Sequence, residues 1–193
     1  SGKQKLLLLA VCSCAKRGLE QTAKTQLRMQ EANLPHSDDR ARTFGNFHPR
    51  PGTEEMVEAA HSLVSGAGPH VLVLTGRVGG GKSHILEAVG WATLDTSRSV
   101  RYDLAGKFVD RLRFSHEHDA KEDLETLMAW YRSRHTLLLD DMGSERDTGF
   151  AAEKLVEIVE DRITHSGRLA IATNFTKQDM QRRGSERLAS RLF

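Results

Sequence analysis

The stretch Val71-Leu72-Val73-Leu74-Thr75-Gly76-Arg77-Val78-Gly79-Gly80-Gly81-Lys82-Ser83 decides the fold. Four consecutive apolar residues, Val71 to Leu74, read as a short strand buried on both faces, as in a parallel sheet covered by helices. The residues from Gly76 to Ser83 fit G-x-x-x-x-G-K-[ST], and a helical pattern runs on from Ser83 to Trp91. Strand, glycine turn and helix in that order make a phosphate-binding loop. Gly76, Gly79, Gly80 and Gly81 let backbone amides turn inward onto phosphate oxygens, with the helix N-terminus behind them. Lys82 neutralises charge on the outer phosphates, the Ser83 hydroxyl is suited to Mg²⁺, and His84 joins them in the nucleotide-binding set. The plainer alternative is a glycine-rich turn with a chance Lys-Ser, which leaves both flanks unexplained.

Outward from this loop, short apolar runs alternate with helical stretches. Strands are expected at Ser99–Tyr102, Thr136–Leu139 and Leu169–Ala172, and helices at Lys107–Leu112, Asp123–Arg132 and Ala151–Ile163. This alternation predicts an α/β fold with a parallel β-sheet sandwiched by helices. Upstream, Met56, Val57, Ala60, Leu63 and Val64 form one helical stripe, with Thr53 as N-cap and Glu54 and Glu55 at the positive end of the helix. Pro35, Ser37-Asp38-Asp39 and Pro49-Arg50-Pro51-Gly52 break the chain. Ala15–Ala32 reads as a weakly amphipathic connector helix. The main domain is therefore set at 43–193, after an N-terminal segment at 1–42.

The 193 residues suffice for one domain with a small appendage, and 38% apolar and 28% charged residues exclude a disordered or fibrous chain. No apolar run approaches the roughly 20 residues of a membrane helix. Leu6–Val11 is also too short for a signal core, so a cytoplasmic protein without a membrane partner is expected. With 28 basic and 26 acidic residues the net charge is +2, so any nucleic-acid contact must come from a local patch. Cys12 and Cys14 cannot form a disulfide framework.

A phosphate-binding loop needs an acidic partner at the end of a neighbouring strand. Leu137-Leu138-Leu139-Asp140-Asp141 supplies it, with Asp140 holding Mg²⁺ and Asp141 orienting or deprotonating the attacking water; alternatively the two open a turn before Gly143. Asn174, after the fourth strand, is placed to reach the outer phosphate or the lytic water, or else starts an Asx turn. Arg187 and Arg191 lie four apart on one helical face, suited to a phosphate of a neighbouring subunit or to solvent. Cys12-Ser13-Cys14 is half of a four-ligand zinc site or a pair of idle thiols, and His116-Glu117-His118-Asp119 reads as a solvated loop.

Taken together, these motifs resemble the AAA+ ATPases of the bacterial helicase-loader group, the DnaC/DnaI loaders, and the similar cores of IstB-type transposition helpers. The resemblance runs from about Cys12 to Phe193, most specifically through Asp140-Asp141-Met142-Gly143-Ser144-Glu145 and Glu186-Arg187-Leu188-Ala189-Ser190-Arg191. Asn33-Leu34-Pro35 and Thr43-Phe44-Gly45-Asn46-Phe47 resemble the segment that leads into such ATPase domains, which implies that Phe44 and Phe47 lie near the adenine. The initiator DnaA shares the style of the loop and of Val100-Arg101-Tyr102, without the Gly-x-Glu after the acidic pair.

The resemblance implies Lys82 and Ser83 as phosphate and Mg²⁺ residues, Asp140 and Asp141 as the Walker B pair and Asn174 as sensor 1. It further implies Arg191 as an arginine finger acting across a subunit interface, supported by Arg187. Lys107, Arg111 and Arg113 fall on a helix that in this group faces single-stranded DNA, although a surface helix accounts for them as well. Asp141 stands where many AAA+ proteins carry Glu, which suits slow hydrolysis. A fifth core strand, a lid and the first half of a zinc element are expected outside this chain, Ser1-Gly2 fits a cleaved tag, and Cys12 and Cys14 would bind Zn²⁺ only in the intact protein.

The implied activity is that of an ATP-hydrolysing loader, with ATP/ADP and Mg²⁺ as cofactors. It would form a homo-oligomer with ATP on single-stranded DNA and deliver the replicative DnaB-type helicase during DNA replication. The alternative within the class is a transposition helper acting on duplex DNA with a transposase. A small-molecule kinase and an interaction module without hydrolysis remain as other classes.

Overall fold

In a computed structural model of the chain, which describes residues 13–36, 38, 40–117, 123–143, 149–182 and 186–193, the centre is a parallel sheet. Its strands are β1 (Val71–Thr75), β2 (Val100–Leu104), β3 (Thr136–Met142) and β4 (Arg168–Thr173), in the order β1-β4-β3-β2. Parallel neighbours cannot be joined by a tight turn, so each connection crosses a face of the sheet through helices. The crossovers are α3 (Lys82–Asp95), α4 (Ala105–Glu117) with α5 (Leu124–Arg132), and α6 (Gly149–Thr164); α1 (Ser13–Ala32) and α2 (Glu54–Ser65) precede β1, and α7 (Lys177–Arg182) and α8 (Glu186–Leu192) follow β4.

The leucine-rich strands are apolar on successive residues because both faces are covered. Leu138, Ala170 and Ala172 point into a core built with Ala60 and Leu63 of α2 and Ile85, Leu86 and Val89 of α3. Leu137, Leu139, Leu169 and Ile171 point the other way, onto Phe108 and Leu112 of α4, Met128 of α5, Leu155 and Ile158 of α6 and Leu188 of α8. This is the period-two alternation of a strand buried twice over. The sandwich expected from the sequence is the fold observed.

The expected elements are present, with local differences. α1 is exposed over most of its described length, as a connector would be, yet its last residue, Ala32, is buried in the core beside Leu34. Thr53 does sit at the N-cap of α2, but its hydroxyl donates to Arg50 O at 2.8 Å instead of capping the helix. The backbone of Thr53 is already near-helical, which turns that side chain back onto the preceding turn. β2 runs on through Asp103, a residue type that ends most strands, because Arg101 Nε and the Tyr131 hydroxyl both donate to its carboxylate.

At the amino end of the strands two arginines do structural work. Arg162, 1% exposed, donates to Arg134 O at 2.6 Å and Tyr131 O at 2.5 Å, satisfying carbonyls at the end of α5. Arg168 donates to Val64 O at 2.6 Å and does the same for α2. No helix among the described residues is long and apolar enough to cross a membrane.

Candidate active site

The phosphate-binding loop joins β1 to α3 at the carboxyl end of the strands. Gly81, at the N-cap of α3, has φ +87°, and a Cβ there would lie 2.8 Å from the Phe47 ring. Only glycine meets both conditions. Lys82 is nearly buried, and its Nζ donates to Gly76 O at 2.8 Å, Arg77 O at 3.0 Å and Asn174 Oδ1 at 2.8 Å. Burial lowers the Lys82 pKa, and the charges of Asp140 and Asp141 oppose that shift.

Asp140 is the hub of the acidic side. It accepts from Ser83 Oγ at 3.1 Å, from the Tyr102 hydroxyl at 2.5 Å and from the Asp141 backbone amide at 2.8 Å. The β3–β4 register slips between Leu139 and Met142, and Asp141 takes φ +52°, a left-handed value that aspartate tolerates better than most residues. The resulting bulge turns Asp141 into solvent at the site while Asp140 stays buried. Burial and the Asp140 carboxylate push the Tyr102 hydroxyl far above its ordinary range, so it remains a donor.

These groups border a cavity of about 450 Å³, into which the loop from Val78 to His84, Asp140, Asp141 and Asn174 all project. A polyphosphate fits its donor set of loop amides and one buried cation. Oxygen donors from Ser83 and Asp140, already 3.1 Å apart, suit Mg²⁺ with its preference for hard ligands.

Lys82, Ser83, Asp140, Asp141 and Asn174 are thus brought together from three separate strand ends. His84 Nε2 lies 3.0 Å from Thr43 O and 3.1 Å from Asn46 Oδ1, fastening the segment before α2 to the loop helix. Phe47 meets the His84 ring edge-on at 5.0 Å and lines a second hollow of about 180 Å³ beside Gly79–Gly81. Phe44 instead stacks on His61 at 4.1 Å and borders neither space.

The other expected residues lie elsewhere. Arg187 and Arg191 on α8 both reach Glu160 of α6, at 3.0 and 3.1 Å, and hold its carboxyl below the usual range. Neither borders the cavity of its own chain. Lys107 is exposed on α4, Arg111 lies over the rings of Trp130 and Tyr131, and Arg113 contacts Asp110 and the Phe150 ring. Arg101 and Arg134 also face Trp130, at 5.3 and 4.6 Å. Cys12, His118, Asp119, Ser144 and Glu145 lie outside the described residues, and of Cys14 only its place in α1 is described. No metal-binding group of three or more His, Cys, Asp or Glu occurs among the described residues.

Three residues at the site escaped the sequence reading: Tyr102, which holds Asp140; Arg42, which lines the cavity; and Glu87, a buried carboxylate one turn beyond Ser83. A tyrosine in an apolar strand and a glutamate in an apolar helix face were the only signals. Nothing local marked Arg42.

Over residues 39–193 the sequence matches the bacterial DnaA ATPase domain family. No curated protein matches the chain in sequence. Among solved structures, DnaA from Aquifex aeolicus bound to AMPPCP has TM-score 0.66 and 24% identity, over 80% of this chain and 48% of that one. DnaI has TM-score 0.66 and 17% identity, over 79% and 86%. The DnaC helicase loader has TM-score 0.62 and 23% identity, over 78% and 86%. At such identities the likeness is one of fold. The chain spans about half the length of the DnaA structures it matches.

Proposed function

This chain belongs to the bacterial DnaA ATPase domain family, an AAA+ group, and on that footing we propose that it is an ATP-hydrolysing helicase loader. It binds ATP with Mg²⁺, assembles with further copies of itself on single-stranded DNA and delivers a replicative hexameric helicase in the cytoplasm during DNA replication. The observation that carries the nucleotide reading is the convergence of Lys82, Ser83, Asp140 and Asn174 around one cavity.

In this reading Lys82 exchanges its hold on Asn174 and the loop carbonyls for phosphate oxygens. Ser83 and Asp140 are the residues that would hold Mg²⁺, which when bound would offset charge on the phosphates. Asp141, exposed by the bulge, orients the attacking water, and Asn174, released by Lys82, reaches the outer phosphate or that water. The Asp140-Asp141-Met142-Gly143-Ser144-Glu145 motif supports the loader over the initiator.

Arg191 reads the outer phosphate of the next subunit, and its tie to Glu160 holds it until that subunit docks. Lys107 and Arg111, beside exposed Phe114 and the arginine-faced Trp130, are the DNA-contacting candidates, because ring faces and cations together suit a single strand. Arg113, turned to Asp110, is the weakest of the three.

The test is ATPase rate without DNA, with single strands and with duplex, alongside mass in solution with an ATP analogue. Stimulation by single strands, ATP-dependent assembly and co-purification of a hexameric helicase are expected. Arg191→Ala should bind ATP normally and lose the stimulation. Stimulation by duplex alone would move the assignment to a transposition helper, and no response to either DNA would sink both.

A further inference from the structure

We infer that Arg42 is an additional phosphate-binding residue of the nucleotide site, supplied in cis by the segment between α1 and α2. The inference rests on reading the 450 Å³ cavity as an ATP site and adds to it a residue that no motif marks.

Arg42 borders that cavity together with the loop and Asp140. Its backbone is anchored, since its amide donates to Glu87 Oε1 at 3.3 Å. Its guanidinium is held more loosely, by an ion pair alone. The Glu87 carboxylate is 4.0 Å from Arg42 Nε, too far for a hydrogen bond, and the side chain is 43% exposed where Glu87 is 1% exposed. Among the described residues, no hydrogen bond from that guanidinium is present.

Glu87 has little capacity left to hold it. His36 Nδ1 lies 3.0 Å from one carboxylate oxygen, and Trp91 Nε1 joins the Arg42 amide on the other, at 3.5 Å. Glu87 stands four residues after Ser83 on α3, so the two share a helix face, and Arg42, tethered at Glu87, lines the same cavity as Ser83 and Asp140. The result is a fixed backbone, a guanidinium with unused donors, and an open cavity bounded by phosphate-binding amides. A planar fork of donors pairs with phosphate oxygens in a way that a lysine cannot reproduce. Even with Lys82 released from its three acceptors, a di- or triphosphate brings more charge than that one cation offsets.

The experiment is competition of AMP, ADP and ATP against a fluorescent ADP analogue, for the unmodified protein and for Arg42→Ala, Arg42→Lys and Glu87→Gln. Arg42→Ala is expected to weaken ADP and ATP by about 10- to 100-fold, the usual cost of one hydrogen bond to a charged group. AMP should change far less, and Arg42→Lys should restore part of the loss. Glu87→Gln, which loosens the same segment without removing the guanidinium, should leave the ratio of ATP to AMP affinity unchanged.

Unaltered ADP and ATP binding by Arg42→Ala would overturn the inference. So would an equal loss for AMP, ADP and ATP reproduced by Glu87→Gln, because that pattern belongs to loosened packing. If the unmodified protein binds no nucleotide at all, the nucleotide reading fails and this inference falls with it.

Discussion

Each end of the sheet carries a nearly buried cation that donates to backbone carbonyls. At the carboxyl end Lys82 donates to Gly76 O and Arg77 O, and at the amino end Arg162 donates to Tyr131 O and Arg134 O. Their surroundings differ. Lys82 faces a cavity of about 450 Å³ and shares a third bond with a side chain that can turn away, Asn174. Arg162 is closed in, and a Cβ on Gly167 would approach its Nη1 to 2.5 Å. Both cations have their pKa lowered by burial, that of Arg162 to about 10. A shifted pKa therefore does not separate a site from a structural bond; replaceable partners and open space on one side do.

The comparison breaks if Arg162 proves dispensable. Arg162→Met removes the donors to one buried and one partly buried carbonyl and should cost about 2–4 kcal/mol in urea unfolding, with nucleotide affinity of the folded protein unchanged. A variant as stable as the parent would show that water satisfies those carbonyls.

At the other end, Tyr102→Phe sharpens the contrast, because Tyr102 positions Asp140 without meeting the cavity itself. The expected result is a fall in kcat of roughly tenfold with ATP affinity kept and more Mg²⁺ needed for half-maximal rate, on the scale of one lost hydrogen bond to a charged group. An equal loss of ATP affinity would mean that the tyrosine supports the whole pocket.

The smallest effect belongs to His135. Burial first, and then Arg168, Arg98 and Arg162, lower its pKa from 6.5 to about 4, while Arg98 Nη1 lies 3.1 Å from its Nε2. The unfolded chain takes up the proton more readily, so this residue contributes stability above pH 6.5 that is lost as pH falls from 6.5 to about 4. His135→Gln should flatten the Tm profile across that window. An unchanged slope would assign the acid sensitivity to other groups.

The readable part of this molecule was local. The loop from Gly76 to Ser83, the pair Asp140-Asp141 and Asn174 each sit where a strand ends, and strand ends show as apolar runs that stop at polar residues. The unreadable part was made by contacts between distant segments. Tyr102 reaches Asp140 across 38 residues, and the Arg42 amide reaches Glu87 across 45. The bulge that exposes Asp141 depends on how β3 registers with β4, which neither strand records alone. Arg187 and Arg191 read correctly as sharing a helix face, but their common partner, Glu160, belongs to another helix.

The central claim, that the carboxyl end holds an exchangeable cation for nucleotide phosphate, is tested most directly by titrating ATP with Mg²⁺ into the unmodified protein and into Lys82→Ala, recording heat and Tm. The account predicts saturable binding by the first, none by the second, and the same or slightly higher Tm for the nucleotide-free variant. Equal binding by both proteins, or a collapse in the stability of Lys82→Ala like that expected for Arg162→Met, would contradict it.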